Sequence, residues 1–526
     1  MRRLSPLFVA AALAAPLPAS AQETQDLEES GGLLVGFLED SLSGDGRYVQ
    51  VRGLDGALSS RATIQQIVIS DEDGAWLTIN DAVLDWNRLA LIRGRFSVNE
   101  LTAGEIIIER APEALPPDED LPEPEAQPFR VPELPVAVEL GELRVDRLVL
   151  GEPLVGMEAE LEVAGSLSLA DGSLETDLSV TRLDRPGDVI ELQAAFSNET
   201  NEIALDLRVI EEEGGLISTT LGLPDTPPLT LTAQGTGPIT DFTADIALAS
   251  DDVERVSGQV RLREAAIPEG QDQTQPAGIA FTADISGDLT PFLVEEYHAF
   301  FGSETRLFVD GLRGGDGRLE LDTAEVSSSA LQLEGTLSLA SSGDIEQLGV
   351  QGRITPPEGE YVTLPIAEPR TRIGSAQVSA RFDAATGNGW DLSLTARNLD
   401  SQQFAVERAQ ITAQGTLEQI QSPPDLQGDL SAALDGLAFA DPALAEAVGE
   451  TLVLDGTFEL APSGDLFLRG FELEGSDYSA KLEAVLDGLT SGFAIEGEAN
   501  VQASDLSRFS RLAGQDLSGA VEARLD

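Results

Sequence analysis

The 526-residue chain has no cysteine, one histidine, one lysine and two methionines. Without cysteine there is no disulfide framework, no thiolate metal site and no thiol nucleophile, so folding rests on buried area alone. The one histidine, His298, sits in Val294-Glu295-Glu296-Tyr297-His298. It has no second histidine to share a zinc ion with, and no G-x-S-x-G elbow offers it a serine. It reads as a structural residue. Positive charge is scarce too: 32 Lys and Arg stand against 92 Asp and Glu, a formal net charge of −60. No basic stripe exists to displace counterions from phosphates, which excludes nucleic acid as a main partner and disfavours docking on anionic headgroups. The acidity instead keeps a large surface soluble.

Carboxylates are so frequent that paired-carboxylate arguments carry no information. Asp71-Glu72-Asp73-Gly74 resembles the start of a calcium loop but lacks the later ligand spacing and closing Glu of an EF-hand, so a tight turn is expected. No phosphate-cradling loop is present. The sequence offers no catalytic residue, no metal ligand and no cofactor site, and a non-enzymatic role is expected.

At the N-terminus, Arg2 and Arg3 precede an apolar run from Leu4 to Leu17, followed by Ala19-Ser20-Ala21. This is the pattern of an export signal cleaved between Ala21 and Gln22. The apolar core is shorter than the roughly 20 residues of a spanning helix and is broken by Pro6, Pro16 and Pro18; the alternative is an N-terminal anchor. No other stretch approaches transmembrane length.

What fills the rest is alternation. Ile203-Ala204-Leu205-Asp206-Leu207-Arg208-Val209 and Trp390-Asp391-Leu392-Ser393-Leu394 place apolar residues at every second position, as do Leu319/Leu321, Leu331/Leu333 and Leu337/Leu339. Period two puts one residue set on each face of a strand. Breaks such as Ala170-Asp171-Gly172, Ser342-Gly343-Asp344 and Gly387-Asn388-Gly389 supply turn residues tolerant of positive φ. About 40 strands spaced by roughly 10–12 residues follow. Helical spacing is confined to four short places: Leu33 to Leu42; Leu289 to Phe300; Leu444 to Val448, opened by Asp441-Pro442; and Leu506 to Leu512, ended by Gly514. Two of them share the form D-L-x-x-F, at Asp288–Phe292 and Asp505–Phe509, a loose internal repeat. Residues 111–135 hold eight prolines and a run of carboxylates, an extended surface excursion between residues 22–110 and 136–526. The final residues, Gly519 to Asp526, read as a strand in progress, so a continuation past the C-terminus is expected.

An alternating sheet of this length must bury its apolar face, by folding into sandwiches, closing into a barrel or curling into a long trough. Leu, Val, Ile and Ala would line it, with Ile203, Leu205, Leu207, Val209, Leu331, Leu333, Leu392 and Leu394 as candidate lining residues. Trp76 and Trp86 are expected to plug the end of a sheet.

The first block then shows spaced elements in order: G-x-x-G-x-L-x-S at Gly53–Ser60, I-S-D-x-x-G-x-W-L at Ile69–Leu77, D-W-x-R-x-x-L-I-R-G-R at Asp85–Arg95, and an E-R-x-P ending at Pro112. Arg130-Val131-Pro132-Glu133-Leu134-Pro135 and Leu143-Arg144-Val145-Asp146-Arg147-Leu148 continue it. Over about a quarter of the chain this resembles the N-terminal portion of the TamB family, the inner-membrane component of the translocation and assembly module, within the AsmA-like lipid carriers. The resemblance implies a mainly β fold, a long curled, mostly antiparallel trough with a few short helices. It implies a place in the Gram-negative envelope, in the periplasm and associated with the inner membrane. It implies phospholipid acyl chains in an apolar groove, and an Omp85-type outer-membrane barrel (TamA-like) as partner through a C-terminal domain absent here. The implied role is outer-membrane biogenesis, by phospholipid transport or by supporting protein and autotransporter assembly. Two readings stand beside it. A secreted structural or adhesive β-solenoid would need its own translocating barrel, with girdled ten-residue strands. A hydrolase on a β-helix would need an acid/base cluster on one face.

Overall fold

Among the described residues, alternation becomes structure as 29 strands, with about two thirds of those residues in strand and under a tenth in helix. The computed structural model describes residues 39, 43–44, 46–56, 59–87, 90, 95–112, 137–170, 172–265, 278–357, 361–366, 370–419, 425–487 and 494–525. The expected mainly β, mostly antiparallel chain with a few short helices is what it shows. Among the described residues the strands number 29 against the 40 expected of the chain, and many run nine residues or more. The expected Leu33–Leu42 helix, the Ala21/Gln22 junction and the body of the proline-rich excursion lie outside the described residues.

The chain divides into two units, with the division in β11 (Asp241–Ser250) and β12 (Val253–Glu264). The first holds β1 (Tyr48–Arg52), β2 (Arg61–Asp71), β3 (Gly74–Trp86), β4 (Arg95–Ile108), β5 (Ala137–Leu150), β6 (Ala159–Ala170), β7 (Ser173–Arg182), β8 (Val189–Ser197), β9 (Glu202–Glu211) and β10 (Leu229–Pro238). Neighbours in sequence pair antiparallel, except β4 and β5, which run parallel from Arg95↔Ala137 to Ile108↔Leu150. A parallel pair needs the chain carried back between its strands, and the proline-rich excursion falls at that connection. A polar ladder stitches the region. Arg52 donates to Gln66, Gln66 to Asn80 at 3.1 Å, and Asn80 to Glu105 at 2.9 Å; Arg147 joins Glu105 to Glu160. Arg147 holds the Glu160 carboxyl below the usual range. Asp71 and Gly74 close the β2–β3 turn, as expected, with Asp71 ion-paired to Arg110. Trp86 is buried and donates to the Ser59 carbonyl at 3.1 Å, the plug expected of it; Trp76 is half-buried in β3.

The second unit continues with β13 (Ile279–Gly287), β14 (Thr305–Arg313), β15 (Leu319–Ser327), β16 (Leu331–Leu339), β17 (Ile345–Ile354), β18 (Val362–Thr363), β19 (Thr371–Ile373), β20 (Ser375–Asp383), β21 (Gly389–Ser401), β22 (Phe404–Gln419) and β23 (Asp425–Asp435). It ends with β24 (Ala438–Phe439), β25 (Thr451–Leu460), β26 (Leu466–Glu474), β27 (Tyr478–Asp487), β28 (Ala494–Ala503) and β29 (Val521–Leu525). Here the long strands form an antiparallel meander, with β17 passing to β20 and β23 to β25 around the short pairs β18–β19 and β22–β24. In this unit the sheet is open and uncurled, and among the described residues no ladder pairs β29 with β13. The curl of the expected trough is not seen here.

The two rims of this meander differ. One carries turns, such as Ala340–Asp344 and Ala461–Asp465, and the single short helix Ala384–Thr386 among the described residues. These two share a local form: Ala340 donates to the Asp344 carbonyl and Ala461 to that of Asp465, while Ser342 and Ser463 cap the aspartates at 2.7 and 2.8 Å. The other rim carries the short helices. Thr290–Phe292, Glu295–Tyr297 and His298–Phe301 follow β13; Pro442–Val448 follows β24; Leu506–Phe509 and Ser510–Ala513 follow β28. Each series opens on an aspartate that accepts the N–H two residues on: Asp288 from Thr290, Asp441 from Ala443, Asp505 from Ser507, at 2.8–2.9 Å. That bond satisfies a donor the first turn leaves free. The D-L-x-x-F repeat is therefore a recurring Asp-capped rim turn. Gly514 ends the last helix in the left-handed region, as expected.

Candidate functional site: one apolar face in each unit

The registers show which residues share a face. In the first unit Ile190 pairs with Val209, Leu192 with Leu207, Ala194 with Leu205 and Phe196 with Ile203. Val209 and Leu207 face Leu231 and Ala233 on β10; on the other side Leu192 and Ile190 face Leu178 and Val180 on β7. The reverse face of these strands carries Glu175, Asp177, Gln193, Asp206 and Gln234, with hydrogen bonds from Gln193 to Asp177 and from Gln234 to Asp206. Ile203, Leu205 and Leu207 are half-buried, Asp206 is exposed, and Val209 is buried. Period two has separated the chain's aliphatic and charged residues into two surfaces.

The second unit repeats the arrangement over more strands. Leu333 pairs with Gly352, Gly352 with Val378, Val378 with Leu394 and Leu394 with Ile411. One row over, Leu392 stands between Ala380 and Ala413. Leu331 belongs to the row nearest the helix-bearing rim, beside Ile354. Thus each unit's candidate lining residues lie together on its apolar face. Leu331, Leu333, Leu392 and Leu394 are half-buried.

One edge of this face is covered by a cluster of its own. A buried cluster of Phe300, Ala330, Val362, Ile373, Ala396 and Leu437 packs against Leu331, Ile354, Ala376 and Leu434, the row at the helix-bearing rim. Backbone bonds anchor it: the Phe300 carbonyl accepts from Ala330 at 3.0 Å and from the Ser328 hydroxyl at 2.8 Å. His298 completes a turn here, its Nε2 at 3.0 Å from the Leu293 carbonyl oxygen, which fits a structural residue. Toward the turn rim the face turns aromatic, with Phe382 buried and Trp390 and Phe458 half-buried. Phe382 pairs with Trp390, and the Trp390 and Phe458 rings lie 6.1 Å apart over Gly415 and Gly428.

Those glycines are a close-approach device. A Cβ on Gly415 would stand 1.8 Å from the Gln427 carbonyl oxygen, and one on Gly428 would meet the Trp390 ring at 2.7 Å. Gly415→Ala therefore forces two backbones apart. A loss of about 1–3 kcal/mol is expected from overpacking, read as a lower urea midpoint, whereas alanine at the open turn residue Gly343 would meet no atom and suffers only from its positive φ.

The first unit holds a feature that alternation alone did not signal. Arg182 ends β7 on the apolar face, opposite Leu161, with its side chain 2% exposed. It bonds Asp184 through two nitrogens at 3.0 Å and Asp188 at 3.2 Å. Burial pushes the Asp184 carboxyl up, but bonds from Arg182 and the Glu160 N–H outweigh it and hold the group below the usual range. Glu211, at the end of β9, accepts from Ile217 and Ser218 and caps the helix Leu216–Thr220. Both charges on this edge are thus engaged. Nothing in the sequence patterning singles out Arg182.

Among the described residues no group of three or more His, Asp or Glu side chains is placed to hold a metal ion, and no helix is long and apolar enough to cross a membrane. No family model, curated protein or solved structure matches the chain.

Proposed function

We propose that the chain is a non-enzymatic part of an outer-membrane biogenesis machine in the periplasm of a Gram-negative bacterium, akin to the TamB-like component of a translocation and assembly module. Its apolar face carries phospholipid acyl chains, supports outer-membrane protein assembly, or both, beside an outer-membrane barrel partner. The observation that carries this reading is the unbroken apolar face of the second unit. From β13 to β28 successive strands present aliphatic residues on one side, most of them half-buried, while polar side chains occupy the other. Contiguous apolar area on that scale marks a binding surface.

A photo-crosslinking residue at Leu205 or Leu207 is expected to capture phospholipid in cells, and one at Asp206 to capture none. Equal labelling of both faces, or no labelling, overturns the proposal. Leu333→Asp supplies the second reading. Because Leu333 is half-buried rather than enclosed, the urea midpoint should move little, while lipid capture falls about tenfold or more, since a carboxylate against acyl chains loses its water. If unfolding shifts and capture does not, the face is packing surface.

A further inference from the structure

Resting on the acyl-chain reading, we propose that the second unit's face takes lipids with zwitterionic headgroups, held with the headgroup at the turn rim, and discriminates against anionic ones. Three observations converge. The first is the width left open. The row at the helix-bearing rim is filled by the Phe300 cluster, so the free span on β16 runs from Leu333 to Leu339. The six residue-to-residue steps between them cover roughly 20 Å, and one leaflet's hydrocarbon is half of a core about 30 Å thick. An acyl chain lying along the strands fits with its methyl end toward the covered rim.

The second is the aromatic end. Phe382, Trp390 and Phe458 stand in one row next to the turn rim, where the hydrocarbon would give way to the headgroup. Tryptophan favours that boundary. The third is charge. The turns beyond this row present Asp344, Asp383 and Asp465. Of the described bases near the same rim, Arg318 is paired with Asp316 and Glu346 and Arg469 with Glu459, while Arg263, Arg313 and Arg381 complete the set, outnumbered by Asp316, Asp344, Glu346, Asp383, Glu459 and Asp465. The basic side chains Arg306, Arg408 and Lys481 lie on the polar face and are each paired with a carboxylate. A headgroup ammonium meets carboxylates at this rim; a net negative headgroup meets like charge on a chain of −60.

The test uses the full chain and neutral phosphatidylcholine vesicles carrying a trace of acyl-labelled phosphatidylcholine or acyl-labelled phosphatidylglycerol. The vesicle surface is then the same for both probes. At low salt the chain should extract the zwitterionic probe about tenfold over the anionic one, and the ratio should fall toward one in 1 M salt, where screening acts within roughly 3 Å. The Asp344→Lys, Asp465→Lys double variant should raise extraction of the anionic probe severalfold and leave the zwitterionic probe unchanged. Equal extraction at low salt, or a ratio indifferent to both salt and the variant, overturns the selectivity while leaving the acyl-chain reading in place. Extraction of neither probe overturns both. Undiminished extraction by Leu333→Asp places the lipid elsewhere on the chain and overturns both as well.

Discussion

Phe300→Ala is expected to destabilise the second unit by about 3–5 kcal/mol, the range for removing a phenyl ring from a core. Phe300 is 3% exposed, stacks edge-on against Phe301 at 5.1 Å between ring centroids, and centres the cluster with Val362, Ile373 and Leu437. Those residues come from three separate connections on one rim, so the ring is what joins them. Loss of the ring leaves a cavity that short, individually weak elements close poorly. The effect should be local. Amide exchange at Val362, Ile373 and Ala330 should accelerate roughly a hundredfold or more, since sub-global opening is read residue by residue. Amides of β26 and β27 should change far less. Leu444→Ala, at a residue 37% exposed on the neighbouring helix, is the control, with an expected change within about 0.5 kcal/mol. Equal exchange changes for both variants would show that the rim is not held by this ring.

The same rim shows what sequence reveals and what it hides. Leu331/Leu333 and Leu392/Leu394 announce a strand face because side-chain period is a local property, fixed by the backbone of the strand itself. The Asp-capped turns were visible as D-L-x-x-F and Asp441-Pro442 for the same reason: an aspartate and the N–H it serves are two residues apart. By contrast, Val362 and Ile373 lie in a stretch broken by Pro356, Pro357, Pro365 and Pro369, which reads as loop. Their burial depends on Phe300, some sixty residues upstream, and no local pattern encodes that contact. Parallel pairing of β4 with β5 is hidden likewise, because a strand's residues do not state the direction of its partner. Curl is hidden too: an alternating sheet can bury its face by folding into a sandwich, closing into a barrel or curling into a trough, and side-chain period selects none of them.

The second large effect belongs to the buried ion network of the first unit. Asp188→Ala is expected to cost about 3–5 kcal/mol, because it leaves Arg182 in a buried site without its second carboxylate. Asp188 is 6% exposed; its second oxygen also accepts the Glu212 N–H at 2.8 Å, so truncation orphans a backbone donor as well. Replacing both partners, Arg182→Met with Asp188→Leu, should recover much of the loss, since apolar residues of similar volume avoid desolvating charge. Failure of that recovery would mean the network's hydrogen bonds, and not its charges, hold the edge. The pH dependence has a definite sign. Asp184 is held below its ordinary range, so its contribution is fully present above the unfolded value near 3.9 and disappears as pH falls through the folded one. Arg182 is raised above an already high value, so its contribution is lost only in strong base. Acid unfolding of the first unit should therefore steepen below about pH 4, and Asp184→Asn should flatten that slope while leaving the second unit's acid profile unchanged. Amide exchange in β7 and β8, followed from pH 6 down to pH 3, measures it; an unaltered slope in Asp184→Asn would remove this carboxylate from the account.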